Sequence, residues 1–242
     1  MNTIKINKKD TKIIAHRGLS GIEQENTVAS FFLASMKSYY GIETDIHVTK
    51  DNKFILCHDD NIKRVTGIDK VIEESTFDEL RKIRVFDKDG SYKNNLRLPT
   101  LDDYIKLCKY AKKVCVLEFK NKLKEEHIKE ILNIIKSYNY LNNMIFISFE
   151  IDNLRILRKL NKDVKIQYLS GIEDDKKKKE ALKYALDINA SLDVYYDNIT
   201  KEFIDACHKN KLEVNVWTVD SKEKAEELIS LGVDYITSNI LE

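Results

Sequence analysis

Short apolar segments alternate with longer amphipathic segments along most of the chain. This alternation predicts parallel strands joined by helices, because parallel strands need a connection long enough to hold a helix. The predicted strands cover residues 12–15, 42–48, 114–119, 144–148, 164–168, 192–195, 213–217 and 235–237. Eight such units in 242 residues indicate a TIM (β/α)8 barrel. An open doubly wound sheet is the alternative, but no G-x-G-x-x-G motif supports it.

The predicted helices lie between these strands. They cover residues 27–39, 101–110, 124–138, 152–160, 177–186, 200–210 and 222–231, and an extra short strand is predicted over 53–57. Residues 59–99 interrupt the alternation, since they hold turn residues, the only proline (Pro99) and one short helical pattern at 76–83. A connection this long is uncommon inside a compact domain and often covers a site. We therefore expect one domain over residues 1–242, with residues 59–99 as an inserted cap.

The composition excludes several classes of protein. Lys and Arg number 41 and Asp and Glu number 40, so the net charge of +1 provides no field that would attract nucleic acid or an anionic membrane. No pair of the four cysteines has C-x-x-C spacing, which disfavours zinc and favours reduced, buried thiols. No apolar run approaches the ~18 residues of a membrane span. We expect a cytoplasmic protein with no stable membrane anchor, and the oligomeric state stays open.

Three carboxylates are predicted to meet at the mouth of the barrel, where strands end and active sites form. Glu43 and Asp45 lie two residues apart on the second strand and therefore face the same side, and Glu118 lies near the end of the third. Unpaired, the three would repel one another, and a hard divalent cation would remove that cost. Oxygen ligands indicate Mg²⁺ or Ca²⁺ rather than zinc. A salt-bridged surface pair is the alternative explanation for Glu43 and Asp45.

Two histidines and two cations are predicted to lie near this carboxylate cluster. His16 follows the first strand and His58 follows the extra short strand, and two imidazoles can share general base and general acid work near neutral pH. Each could instead have only a structural role. Arg17 and Lys120 are suited to binding a phosphate. Phosphate ester cleavage is the chemistry that uses all of these groups together.

Eight short motifs occur in order and nearly from end to end of the chain. They are His16-Arg17-Gly18, Glu25-Asn26-Thr27, Glu43-x-Asp45-x-x-x-Thr49-x-Asp51, His58-Asp59, Arg64-x-Thr66-Gly67, Leu98-Pro99-Thr100-Leu101, Leu117-Glu118-x-Lys120 and Trp217-Thr218-Val219. Taken together they resemble the glycerophosphodiester phosphodiesterases. The resemblance implies a TIM barrel with a small cap inserted after the second strand and one divalent cation held by the carboxylate cluster.

The resemblance also implies an activity and roles for the other residues. A glycerophosphodiester would be cleaved to an alcohol and sn-glycerol 3-phosphate, with Arg17 and Lys120 on the phosphate. By analogy with phosphatidylinositol-specific phospholipase C, a substrate hydroxyl would attack phosphorus and water would open the cyclic phosphate. His16 would be the base and His58 the acid in the first step, with exchanged roles in the second. Trp217 would line the glycerol end of the pocket, unless it is a core aromatic of the barrel.

Two departures from the family pattern accompany the resemblance. Asp220 stands where the family often has Asn, and we expect either residue to cap the next helix. The end of the chain, residues 237–241, replaces the common Thr-Asp-x-Pro form, and we expect a changed last loop with no effect on the metal or histidine set. The substrates expected are small diesters such as glycerophosphocholine or glycerophosphoethanolamine. The alternatives are a lysophospholipase D acting on lipid-tailed diesters and a non-catalytic phosphodiester-binding barrel.

Overall fold

Parallel strands close into a barrel in the computed structural model, which describes residues 2–242. The strands are β1 (Lys12–Ala15), β2 (Gly41–Val48), β3 (Phe54–Leu56), β4 (Val114–Phe119), β5 (Met144–Ser148), β6 (Lys165–Ser170), β7 (Ser191–Tyr195), β8 (Val214–Trp217) and β9 (Tyr235–Ser238). Their order is β1-β9-β8-β7-β6-β5-β4-β2-β3, and a β1–β2 pairing closes the ring. Without β3, eight parallel strands remain, and the predicted TIM barrel is confirmed.

The short strand β3 lies outside the ring and pairs antiparallel with β2, with Leu56 opposite Ile46. The hairpin is continued by a hydrogen bond of 3.1 Å from the Cys57 amide to the Asp45 carbonyl. This pairing carries the chain back along β2 toward the barrel mouth. It thereby delivers His58, the next residue, to the site.

Helices surround the barrel. They are α1 (Val28–Ser35), α2 (Lys63–Thr66), α3 (Phe77–Lys82), α4 (Leu101–Ala111), α5 (Glu125–Ser137), α6 (Ile151–Leu160), α7 (Asp175–Asp187), α8 (Lys201–Lys209) and α9 (Lys222–Leu231). Within residues 2–242, none of them is both long enough and apolar enough to cross a membrane. The helix predicted over 27–39 ends early, at Ser35, because the chain must turn there to enter β2. The Tyr40 amide already bonds to the Ile13 carbonyl of β1 at 2.8 Å.

Residues 59–99 build a small unit beside the barrel mouth. The predicted helix at 76–83 is present as α3, with Thr76 and Glu79 in a capping box. Helix α2 and a 3₁₀ turn at Ile72–Glu74 were not predicted, since elements this short leave no periodic pattern. The buried residues of this unit pack with one another and with the end of β3 and Cys57, apart from the main core; they are Ile55, Cys57, Ile62, Val65, Ile72, Leu80, Val85 and Leu98.

The barrel interior holds both apolar and polar side chains. The apolar ones include Ile14, Val116 and Ile145. Four buried polar side chains lie on successive strands and are Gln167, Asp193, Asn215 and Thr237. Hydrogen bonds of 3.3 Å join Thr237 to Asn215 and Asn215 to Gln167. A polar layer of this kind must be satisfied internally or by a ligand, because an unpaired buried polar group destabilises the fold.

At the opposite end of the barrel, Arg158 of α6 holds two loops in place. Its guanidinium donates to the carbonyl oxygens of Ile188, Lys162, Val164 and Asn189 at 2.6–3.0 Å. These carbonyls belong to the segments that lead into β6 and β7. Hydrogen bonds from a charged donor contribute more than neutral ones, so Arg158 ties helix α6 to two strand entrances.

We expect Arg158→Met to lower the free energy of unfolding by about 2–3 kcal/mol, because four carbonyl groups lose a charged donor at once. The matched control is Arg155→Met on the same helix. Arg155 is exposed, pairs with Asp152 at the surface and lies 5.8 Å from the centroid of the Tyr184 ring, so the expected loss is under about 1 kcal/mol. Urea unfolding measures both. Equal losses of unfolding free energy in the two variants would show that Arg158 does not link α6 to the entrances of β6 and β7.

Candidate active site

The three predicted carboxylates meet at the barrel mouth. Glu43 and Asp45 of β2 and Glu118 of β4 are buried, and each offers an oxygen within 4.8 Å of the others. The β2–β4 register explains the meeting, since Asp45 lies directly opposite Glu118. This carboxylate cluster therefore follows from the pairing of neighbouring barrel strands.

Each carboxylate of the cluster has a different partner. The Arg17 backbone amide donates to Glu43 at 2.8 Å, and the Lys120 ammonium donates to Glu118 at 2.9 Å. One oxygen of Asp45 accepts a hydrogen bond of 2.7 Å from the Asn26 side chain. The other oxygen, Oδ1, is buried and has no hydrogen-bond partner among the residues described, although the Lys120 ammonium lies 3.5 Å away.

Burial and mutual repulsion shift the pKa values within the cluster in opposite directions. Burial, and then the charges of Asp45 and Glu118, raise the pKa of Glu43 well above its usual value. Burial and Asp45 also raise the pKa of Glu118 to about 7. For Asp45, burial favours the neutral form, but Lys120 and Arg17 outweigh it and lower the pKa.

This cluster fits a hard divalent cation. The donors are all carboxylate oxygens, one of them lacks a partner, and the negative charge exceeds what Lys120 and Arg17 offset locally. A cation bound there would replace the protons that burial otherwise forces onto Glu43 and Glu118. These residues therefore could hold Mg²⁺ or Ca²⁺.

His16 lies at the end of β1 with its ring deeply buried. Its Nδ1 is 2.8 Å from Oδ1 of Asn239. Burial, and then the charge of Arg17, lower the pKa of His16 to about 4, so the ring is neutral at pH 7. Because an amide oxygen only accepts hydrogen bonds, Nδ1 must carry the hydrogen and Nε2 keeps a free lone pair. A neutral imidazole of this tautomer is suited to act as a base.

Asp220 determines which way the Asn239 amide points. Its carboxylate accepts hydrogen bonds from Nδ2 of Asn239 at 2.6 Å and from the Asn239 backbone amide at 2.8 Å. The amide nitrogen therefore faces Asp220, and the oxygen faces His16. The expectation that Asp220 caps the next helix is wrong, because Ser221 is the N-cap of α9. The expectation that the changed last loop leaves the histidine set unaffected stays a prediction, and Asn239 of this loop contacts His16.

His58 is held by a chain of ion pairs. Its Nδ1 lies 2.7 Å from a carboxylate oxygen of Asp59, and Arg64 of α2 donates to the same carboxylate at 2.6 Å. Arg64 also reaches Glu25 at 2.8 Å, and Glu25 accepts from Arg17 at 2.9 Å. A carboxylate on Nδ1 stabilises the imidazolium when the ring takes up a proton. The two histidines thus differ in their partners, an amide for His16 and a carboxylate for His58.

A cavity of about 100 Å³ joins these groups. It is lined by His16, Arg17, Glu43, His58, Glu118, Lys120, Ile147, Phe149, Leu169, Asp193, Trp217, Thr218 and Thr237. Every predicted site residue lines it except Asp45, which lies behind the wall and is bonded to Asn26. Thr27 caps α1, and the preceding residue, Asn26, orients Asp45.

Aromatic side chains form one rim of this cavity. Trp217 packs edge-on against Phe149, with 5.6 Å between ring centroids, and in a tilted arrangement against Tyr195, with 5.4 Å between ring centroids. Phe149 is 46% exposed and Tyr195 39% exposed, so much of this aromatic rim faces solvent. Phe149, Tyr195, Asp193 and Asn239 were not singled out from the sequence. A position at or just after the end of a strand was the available signal for Phe149 on β5 and Tyr195 on β7.

Comparison with known proteins agrees with this geometry. The glycerophosphoryl diester phosphodiesterase family matches residues 16–241. A glycerophosphodiester phosphodiesterase from Caldanaerobacter subterraneus subsp. tengcongensis is 32% identical over 237 residues, which cover 95% of this chain and 94% of the relative. A human lysophospholipase D is 40% identical over 70 residues, only 29% of this chain and 22% of that protein.

Solved structures show the same barrel. A glycerophosphodiester phosphodiesterase from Parabacteroides distasonis superposes with a TM-score of 0.76 at 28% identity, over 95% of this chain and 93% of that one. An Oleispira antarctica phosphodiesterase, solved with the product sn-glycerol-3-phosphate, has a TM-score of 0.85 at 24% identity and the same coverage, a likeness that concerns the fold.

Fold and site together define a barrel enzyme that hydrolyses phosphoric diesters. The chain belongs to the glycerophosphoryl diester phosphodiesterase family, as the match over residues 16–241 and the 32% identity to the Caldanaerobacter relative establish. The resemblance inferred from the sequence motifs is thereby confirmed.

We expect Glu118 to make the metal-free protein less stable as the pH rises from about 5 to about 8. Its pKa is about 7 in the folded protein and ~4.3 in an unfolded chain, so the folded state holds the proton more tightly and loses that advantage as pH rises through 7. In EDTA, Glu118→Gln should gain about 1–3 kcal/mol relative to wild type over this range. Urea unfolding at each pH measures the difference.

Saturating Mg²⁺ or Ca²⁺ should make wild type the more stable of the two proteins at pH 8. A cation that binds folded wild type stabilises it, and the Glu118→Gln variant lacks one ligand. Glu130→Gln on the outer surface of α5 is the control and should show neither effect. A difference between wild type and Glu118→Gln that stays constant with pH in EDTA would contradict this account of the cluster.

Proposed function

We propose that the protein hydrolyses small glycerophosphodiesters to an alcohol and sn-glycerol 3-phosphate, with a divalent cation held by the carboxylate cluster. One observation carries the proposal. His16 and His58 line the same small cavity, and each ring has its Nδ1 engaged by the protein, by Asn239 and Asp59 respectively. The two Nε2 atoms are therefore the ones available to a substrate, next to the carboxylate cluster.

The partners of the histidines support distinct roles in the first step. His16, neutral and deeply buried, takes the proton from a substrate hydroxyl as its oxygen attacks phosphorus. His58, beside Asp59, gives a proton to the departing alcohol as its bond to phosphorus breaks, and a cyclic phosphate remains. In the second step the roles exchange, and water opens the ring. His58 takes a proton from that water and His16 gives one to the ring oxygen that leaves phosphorus, so both histidines return to their initial protonation states.

Positive groups in the cavity would offset the negative charge of the phosphate. Lys120 and Arg17 both line the cavity, and each already pairs with a carboxylate at 2.9 Å, Lys120 with Glu118 and Arg17 with Glu25. A divalent cation, when bound, would supply positive charge to the phosphate oxygens as negative charge develops there. We also propose that residues 59–99 act as a cap, since Arg64 of this unit reaches Glu25 at the rim and Lys88 bonds to the Ser20 carbonyl.

We expect His16→Ala and His58→Ala each to lower kcat about 10²–10⁴-fold, the usual contribution of general acid–base catalysis. Release of glycerol 3-phosphate from glycerophosphocholine measures this, and EDTA should abolish it. His127→Ala is the matched control, because His127 lies on the outer face of α5 and bonds only to Asn52. If both site variants stayed within a few-fold of wild type, the proposed mechanism would be wrong. Tight binding without turnover in wild type would support a non-catalytic barrel.

We expect the double substitution Asp220→Asn with Asn239→Asp to move the acid limb of kcat/KM to higher pH. The exchange keeps the hydrogen bond between the two side chains but places a carboxylate on Nδ1 of His16. That charge favours the imidazolium and raises the pKa of His16 from about 4, by roughly 1–2 units. Since the base must be unprotonated, activity would then be lost at a higher pH. The profile at saturating Mg²⁺ is the measurement.

The single substitution Asp220→Asn serves as a control for this exchange. Asp220→Asn alone leaves two amides and no added carboxylate, so its acid limb should stay near that of wild type. If the acid limb of kcat/KM in the double variant lay at the same pH as in wild type, or at a lower pH, Asn239 would not determine the pKa of His16.

The aromatic rim favours a second candidate, a lysophospholipase D activity on lipid-tailed diesters. The apolar entrance that such a substrate needs is provided by Phe149 and Tyr195 at the ends of β5 and β7, rather than by residues 59–99. The short match to the human lysophospholipase D is compatible with this candidate.

We expect Phe149→Ser with Tyr195→Ser to lower kcat/KM for lysophosphatidylcholine about tenfold or more if an acyl chain packs on the rim, since apolar burial contributes roughly 25 cal/mol per Å². Glycerophosphocholine carries no acyl chain and is the control substrate. Equal effects on the two substrates would exclude this use of the rim, and wild type that cleaves only glycerophosphocholine would exclude the activity.

A further inference from the structure

Asp193 is a buried carboxyl group that the chemistry above does not use. It lies on β7, is 2% exposed and lines the same cavity as the two histidines. Its Oδ1 is buried and has no hydrogen-bond partner within residues 2–242. Buried polar atoms in native proteins nearly always have a partner, so an atom of this kind that faces a cavity indicates a ligand.

The neighbours of Asp193 satisfy one another. Asn215, opposite Asp193 on β8, donates to Gln167 and accepts from Thr237, both at 3.3 Å. Asn215 also interacts with the Asp193 carboxyl group through a side-chain hydrogen bond, but Oδ1 of Asp193 still has no partner among the described residues. Hydrogen bonds within the polar layer therefore satisfy Gln167, Asn215 and Thr237, but they do not satisfy Oδ1 of Asp193.

A second unpaired atom lies on the same wall. The indole Nε1 of Trp217 is buried and has no hydrogen-bond partner in the part of the chain that the structure describes. Trp217 pairs with Tyr195 in the sheet, so Asp193 lies two residues deeper along β7, about 6–7 Å further into the barrel. An acceptor and a donor on one wall match a hydroxyl group, which can donate to one and accept from the other.

The position of Asp193 indicates which half of a diester it meets. All glycerophosphodiesters share the glycerol half, whereas the alcohol half varies in size. A cavity of about 100 Å³ that ends at a buried layer suits the small invariant half, and the variable half then points outward past the aromatic rim. The glycerol half carries two free hydroxyls. One is needed for attack on phosphorus, and the terminal one is free to bind.

The charge state of Asp193 is compatible with such a role. Burial, and then the charge of Glu118, raise the pKa of Asp193 well above its usual value, against a smaller opposing effect of the side-chain hydrogen bond with Asn215. An uncharged carboxyl group can accept a hydrogen bond from a hydroxyl without adding charge beside the phosphate.

We propose that Asp193 is a specificity residue that recognises the glycerol half of the substrate. Its Oδ1 accepts a hydrogen bond from the terminal glycerol hydroxyl, and Nε1 of Trp217 donates to an oxygen of the same half. The proposal rests on the proposed function, because it assumes that glycerophosphodiesters occupy the cavity.

Two chromogenic diesters that differ by one hydroxyl test it. Glyceryl 4-nitrophenyl phosphate has the terminal hydroxyl, and 2-hydroxypropyl 4-nitrophenyl phosphate lacks it but keeps the hydroxyl that attacks phosphorus. Wild type should prefer the glyceryl substrate about 10–100-fold in kcat/KM, because the analogue leaves a buried polar group unpaired. In Asp193→Ala the preference should fall to about threefold or less, and Asp193→Asn, which keeps an oxygen acceptor, should retain most of it.

The matched control is Asn215→Ala in the same layer, whose preference should stay within about threefold of wild type. A wild-type preference near one, or a full preference in folded Asp193→Ala, would overturn the proposal. So would equal losses of preference in Asp193→Ala and Asn215→Ala, since these would indicate a purely structural layer. Thermal unfolding confirms that each variant is folded, and Asp193→Asn provides the test if the alanine variant is not.

A binding measurement separates this proposal from the proposed function. If wild type turned over neither diester, the proposed function would fail, and calorimetry with sn-glycerol 3-phosphate and with 1,2-propanediol 1-phosphate would give the preference directly. Loss of that preference in Asp193→Ala would support the role of Asp193 in a binding barrel. Equal affinity of wild type for the two ligands, or no binding of either, would overturn it.

Discussion

The balance of charge in the barrel mouth is the constraint on which the rest of the site depends. Three buried carboxylates, Glu43, Asp45 and Glu118, face one small space, and only Lys120 and Arg17 offset them. Left alone they take up protons, as the raised pKa values of Glu43 and Glu118 indicate. The same repulsion makes the site receptive to a cation and, beside it, to an anionic phosphate. Stability and ligand binding are therefore opposed at these positions.

Residues from the loops determine the state of each functional group. Asn26 holds Asp45, Asn239 holds His16 and Asp59 holds His58. The barrel strands bring the reactive groups to one face, but hydrogen bonds from the loops select the tautomer of His16 and the partner of His58. Two imidazoles at similar places on one barrel thus have different chemistry, because one meets an amide and the other a carboxylate.

The cavity has two unlike walls. Carboxylates, histidines and Lys120 form one, and the aromatic rim with Asp193 forms the other. A phosphodiester has the same asymmetry, with a charged centre between two uncharged alcohol halves. The charged wall can bind the centre of any such diester, so discrimination between substrates has to come from the second wall.

The barrel and most of the charged site were predictable from the chain alone, because strand and helix periodicities are local. Once the barrel is assumed, polar residues on the last part of a strand, such as Glu43, Glu118 and His16, are expected at the barrel mouth. Tertiary structure alone decided three features of the site. They are the hydrogen bond from His16 to Asn239, the hydrogen bond from the Asn239 amide to Asp220, and the lack of a partner for Oδ1 of Asp193. They depend on side chains from distant strands meeting within a few tenths of an ångström, and no spacing along the chain encodes such a distance.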